Sequence, residues 1–206
     1  MSTEQDYIRD IAEIRSMMER SSKFLSLSGW AGVMAGVYAL VGAYIVHVFF
    51  GFAPLKIAYD AVELEQFSLK GAVMVAFGVL VLSVGTAVLL SSQRAVKRGE
   101  SLLNVTSRRL VISSAVPLVA GGILGLIFME HGLIGFLAPV TLVFYGLALY
   151  SAATYTYKEV RVLGLIQLAL GLLGAAFVEL GVLFWAMGFG LMHIVYGIYI
   201  HIKHER

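Results

Sequence analysis

Gly71-Ala-Val-Met-Val-Ala-Phe-Gly-Val-Leu-Val-Leu-Ser-Val-Gly-Thr-Ala-Val-Leu-Leu-Ser-Ser-Gln93 runs for 23 residues without a charged side chain. At 1.5 Å per residue a helix of that length reaches about 34 Å, enough to cross the roughly 30 Å hydrocarbon core of a bilayer. Charge-free runs also cover Phe24–Leu55, Leu110–Met129, His131–Tyr157, Val162–Val178 and Leu180–Ile202. Each is near or above the roughly 17–25 residues a spanning helix needs. Lipid offers the backbone no hydrogen-bond partner, so runs this long and apolar are helices; barrel strands would alternate apolar and polar residues over short segments. The sequence therefore predicts an all-α membrane protein. Six transmembrane helices over residues 24–206 are expected as three antiparallel hairpins, preceded by a short amphipathic helix over residues 1–23.

Composition agrees. Hydrophobic residues make up 59% of the chain and charged residues 14%, where a soluble domain carries about a quarter charged. Six spans in 206 residues leave room only for short loops, so no separate soluble domain is expected. With no cysteine, disulfides, thiolate nucleophiles and Cys-ligated zinc or iron–sulfur sites drop out. The first run follows a charged stretch too long and too acidic for a signal-peptide n-region, and it exceeds an h-region of about 7–15 residues, so it reads as a retained span. The basic residues sit beside spans rather than in one stripe, so no nucleic-acid partner is expected.

Lys and Arg set the expected orientation. With the N-terminus in the cytoplasm, Arg9, Arg15, Arg20, Lys23, Arg94, Lys97, Arg98, Arg108, Arg109, Lys158, Arg161, Lys203 and Arg206 lie inside, and only Lys56 and Lys70 lie outside. That is a positive-inside bias, and both termini are expected in the cytoplasm. The outer segments carry Asp60, Glu63, Glu65, Glu130 and Glu179. The longest outer connection, Gly51–Gln66, holds Pro54 and the acidic stretch Asp60–Glu65. The basic inner loop Arg94–Arg109 is expected to rest on anionic headgroups.

Ahead of the first span, Tyr7, Ile11, Ile14, Met18 and Leu25 fall on one helical stripe. That stripe suits a helix lying on the inner membrane surface or packed on the bundle. The same steps also fit a short coiled-coil arm for a cytoplasmic partner.

Within the spans, Gly32 with Gly36, Gly121 with Gly125, and Gly171 with Gly174 are spaced for close helix contact, the main route to association where lipid gives no hydrophobic drive. Self-association through glycine-rich faces is expected too. Pro117 and Pro139 fall within spans three and four, where proline kinks a helix. Phe128-Met-Glu130-His-Gly132 is like Phe177-Val-Glu179-Leu-Gly181, which suggests two-helix units that repeat.

Ionisable groups inside a bilayer are costly and are functional candidates by default. His193 falls near the middle of span six, and Gln167 of span five or a tyrosine is its expected hydrogen-bond partner. His47, Glu130, His131 and Glu179 lie at similar depth toward the outer face, a set that a divalent cation or proton relay could use, although the spacing matches no metal motif. These six residues are the candidate transport pathway. Catalytic patterns are missing: span four offers only Tyr150-Ser151-Ala152 where a rhomboid-like protease needs Gly-x-Ser-Gly, no span holds an aspartate, and His193 has no second histidine at its depth for haem. Neither an enzyme nor a cofactor is expected.

The segments Ile14–Gly29 and Leu183–Gly197 resemble a bacterial family of uncharacterised multi-pass membrane proteins. The resemblance runs through the whole chain and implies a six-span inner-membrane protein, with no activity or site residue attached. A small channel or transporter for an ion or small solute is the expected function. The alternative is a non-transporting scaffold or signalling partner acting through the N-terminal helix.

Overall fold

The computed structural model describes residues 26–50, 66–97, 99 and 104–205. The helix expected over residues 1–23 and nearly all of the Gly51–Gln66 connection lie outside them. The described residues are mostly helical, with no strand among them. Helix α1 covers Gly29–Phe50, α2 Gln66–Lys97, α3 Val105–Glu130, α4 Leu137–Ala152 and α5 Lys158–Ala176. The last span is composite: α6 (Gly181–Trp185), a π-helical segment Ala186–Met192, and α7 (His193–His204). Six helical stretches are long and apolar enough to cross a membrane. Their outward faces agree, since Met74, Phe77, Leu89, Val116 and Leu126 are among many large apolar side chains left exposed. Water would not tolerate so continuous an apolar exterior; hydrocarbon does.

Local chemistry sets the helix ends. Asn104 and Ser107 form a reciprocal capping box, Oδ1 of Asn104 accepting from the Ser107 N–H at 2.7 Å and the Asn104 N–H donating to Ser107 Oγ at 3.0 Å. Much of the expected inner loop Arg94–Arg109 is therefore helix, and Arg108 and Arg109 belong to the first turn and a half of α3. That helix ends in a Schellman turn, with Gly132 at φ +73° and the Leu133 N–H donating to the Phe128 carbonyl at 2.8 Å. Pro117 sits inside continuous α3. Pro139, expected to kink span four, instead occupies the first turn of α4, where an N–H would have no helical partner anyway. The two turns that read alike in sequence each lead into a 3-10 helix, Ile134–Phe136 and Val178–Leu180, and these lie against one another.

Helix neighbours run in the order α2, α1, last span, α5, α4, α3. Glycine makes the central contacts. A Cβ at Gly146 would lie 2.7 Å from the Gly164 carbonyl and one at Gly164 2.8 Å from the Gly146 carbonyl, so α4 and α5 touch backbone to backbone. On the other side of the last span, Gly32 and Gly36 of α1 approach the backbone at Gly197 and Gly190. The expected close contacts thus exist at Gly32, Gly36 and Gly171, and Gly121 seats Phe144; a Cβ at Gly125 would meet only Leu137, at 3.9 Å.

Candidate functional site

Three neighbouring spans place polar side chains at one depth. Tyr145 is near the middle of α4 and Gln167 near the middle of α5, while His193 opens α7 directly after the π-helical segment. A π-helix bonds i to i+5, is rare, and where it occurs is frequently at a functional site. Gln167 is fully buried and His193 is 5% exposed. His193 Nε2 lies 2.9 Å from Tyr145 Oη, and Nδ1 lies 2.9 Å from the Gly188 carbonyl oxygen and 3.3 Å from Gln167 Nε2. Gln167 Nε2 donates to the same Gly188 carbonyl at 2.7 Å.

Gly188 is the hinge of this arrangement because only hydrogen fits there. A Cβ at this position would collide with Gln167 Oε1 and come within 2.5 Å of Leu142 Cδ2. The Gln167 amide therefore straddles Gly188, its nitrogen on the carbonyl and its oxygen over the Cα. That oxygen is buried without a hydrogen-bond partner, an omission that costs about 1–3 kcal/mol. Aromatic rings enclose the imidazole: Phe189 stacks on it with centroids 5.9 Å apart and planes 13° apart, and Tyr145 lies at 5.4 Å.

The heavy-atom positions suit either neutral tautomer. With hydrogen on Nδ1, His193 donates to Gly188 and its Nε2 accepts from the Tyr145 hydroxyl. With hydrogen on Nε2, it donates to Tyr145 and its Nδ1 accepts from Gln167.

The sequence-predicted residues divide here. His193 and Gln167 come together as expected, and the expected tyrosine is Tyr145. His47 is in the last turn of α1, Glu130 ends α3, His131 follows it and Glu179 is in a 3-10 turn; all four are exposed. Among the described residues no three histidine, aspartate or glutamate side chains gather to hold a metal.

A second polar cluster, not legible in the sequence, closes the opposite end of the bundle. Arg94 at the end of α2 forms an ion pair with Glu205 and donates to the carbonyls of Leu27 and His204, each at 2.9 Å. Glu205 Oε1 also accepts from the Gly29 N–H at 2.5 Å, capping α1 from the far end of the chain, and Oε2 pairs with His201 Nδ1 at 2.6 Å. Burial alone would raise the Glu205 carboxyl, but the bonds from His201 and Gly29 and the charge of Arg94 outweigh it and hold the group below its ordinary value. Beside it, Glu159 takes Lys203 at 2.7 Å and His204 at 3.3 Å.

Fold and site together define a multi-pass helical membrane protein with a polar centre buried among its fourth, fifth and sixth spans. No family model, curated protein or solved structure matches the chain, so any functional reading rests on this geometry.

Proposed function

We propose that the chain is a small channel or transporter for an ion or small solute, with His193, Gln167 and Tyr145 at its working centre and no catalytic activity. The observation that carries this reading is the placement of an ionisable side chain in mid-span, directly after a π-helical segment and between two other spans. Membrane proteins bear the cost of such a group where it does something. The irregular turn supplies a part that can rearrange. In the full picture the spans form three antiparallel hairpins in a bacterial inner membrane, both termini are cytoplasmic, and residues 1–23 form an amphipathic helix on that side. His47, Glu130, His131 and Glu179 line the outer mouth. Gly78, Gly85 and Gly122, which have nothing within 4 Å of an added Cβ, are free to serve self-association.

A specific observation favours the second reading, a non-transporting scaffold or signalling partner. Both ring nitrogens of His193 have partners, as they would in a static knot that ties three spans together. Flux separates the two. Purified protein is reconstituted into vesicles at fixed pH, and movement of potassium, sodium, chloride, glycerol and urea is compared with that in protein-free vesicles. Transport predicts faster movement of at least one, reduced about tenfold or more by His193→Ala in a variant that keeps its helix content. If none moves faster, or His193→Ala changes nothing, transport is wrong. The scaffold reading then predicts that deleting residues 1–22 abolishes partner capture.

A further inference from the structure

We infer that the His193 centre is a proton-binding site, with the ring nitrogen lacking a hydrogen taking up a proton from water and Gly188 and Tyr145 accepting the two resulting N–H bonds. This rests on the transport reading only for its purpose, which is to couple movement to a proton; the binding itself stands on the local geometry.

An imidazolium has two N–H donors and no lone pair, so a buried one needs two acceptors in the ring plane. Both are in place. Nδ1 already faces the Gly188 carbonyl at 2.9 Å, and Nε2 faces Tyr145 Oη at 2.9 Å. A hydroxyl switches from donor to acceptor by rotation of its hydrogen, so no heavy atom needs to move. The Gly188 carbonyl has two lone pairs, one for Gln167 and one for His193.

Burial works against a charge at this depth, so the groups around the ring decide whether one can be held. Phe189 stacks on the ring, and aromatic faces attract cations. Among the described residues no cation pairs with this cluster. From α4 the group facing His193 is Tyr145, from α5 the uncharged Gln167, and from its own helix the next ionisable residue is Tyr196. Helix α1 brings Gly32 to the His193 backbone. The nearest charged side chain along the last span, Lys203, is ten residues on, about 15 Å along a helix.

Nitrogen-15 NMR of histidine-labelled protein in lipid reads protonation of the ring directly. The chain has five histidines, so the His193 signal is assigned by its loss in His193→Gln. Between pH 8 and pH 5 that signal should change from a neutral to a charged imidazole. Tyr145→Phe withdraws one acceptor and should reduce the charged fraction at pH 5 at least threefold. A ring that stays neutral throughout, or a charged fraction indifferent to Tyr145→Phe, overturns the proton site. Flux is a separate readout: solute movement with an always-neutral ring overturns this inference alone, and a titrating ring in a chain that moves nothing overturns the transport reading alone.

Discussion

Replacing Glu205 by alanine removes one acceptor group from three donors in three different parts of the fold. The Gly29 N–H loses its cap, Arg94 loses its counter-ion and His201 loses its carboxylate. The side chains of Arg94 and Glu205 are 13% and 12% exposed. Breaking a fully buried pair by removing one member costs about 3–5 kcal/mol, because the other charge is left uncompensated, and this part-buried pair belongs at or below the lower end of that range. Arg94 keeps the carbonyls of Leu27 and His204, which offsets part of that, while the lost cap adds about 1 kcal/mol. We expect a net loss of about 3 kcal/mol. At the 2–4 °C per kcal/mol seen for soluble chains of this size, the thermal midpoint in detergent should fall by about 6–12 °C. Glu205→Gln keeps an acceptor for Gly29 and should fall by roughly half as much. A midpoint for Glu205→Ala within 2 °C of wild type would refute the reasoning, because the clasp would then hold nothing together.

Four further outcomes are expected. A carboxyl held below its ordinary value of 4.5 contributes stability that is present above that value and lost as pH falls through the lowered one; wild-type melting should therefore drop steeply on acidification below pH 4.5, and Glu205→Gln should flatten that part of the pH profile. Gly146→Ala drives a Cβ into the Gly164 carbonyl and should cost about 1–3 kcal/mol or more, whereas Gly85→Ala, with open space around it, should leave the midpoint within about 1 kcal/mol of wild type; equal effects would count against the α4–α5 contact. Gly188→Ala displaces the Gln167 amide and should alter the His193 NMR signal even in a variant that remains folded. Asn104→Ala removes the α3 cap and should cost about 0.5–2 kcal/mol in thermal melts.

Span number was legible because hydrogen-bond starvation in lipid forces helices wherever charge-free runs are long enough. Charge also marked the ends well: Glu130, His131 and Glu179 all fall at turns. Pairing was harder to read. Apolar runs such as α2 and α3 look alike, and which glycine meets which backbone depends on crossing points that no local pattern encodes. Gly125 shares the spacing of Gly32 and Gly36 yet packs loosely.

The last span shows the same limit at the site. His193 and Gln167 stood out because polar side chains are rare in these spans. The π-helical register between Ala186 and Met192 left only a faint signal in the closely spaced Gly188 and Gly190. Tyr145 is one of ten tyrosines, and its choice as partner follows from the close approach of α4 and α5. The Arg94–Glu205 clasp joins residues 111 positions apart, a separation at which sequence pattern carries no pairing information.

Because the chain has no cysteine, a single cysteine can report whether solute passes the buried centre. Phe189 stacks on His193 without hydrogen-bonding to it, so Phe189→Cys tags the centre and spares its polar atoms. Reconstituted Phe189→Cys should move whichever of the tested ions or solutes the wild type moves. A membrane-impermeant thiol reagent should then block that movement, with recovery on addition of reductant. Flux that continues unchanged after the reagent, with or without labelling of the thiol, would contradict a pathway through His193.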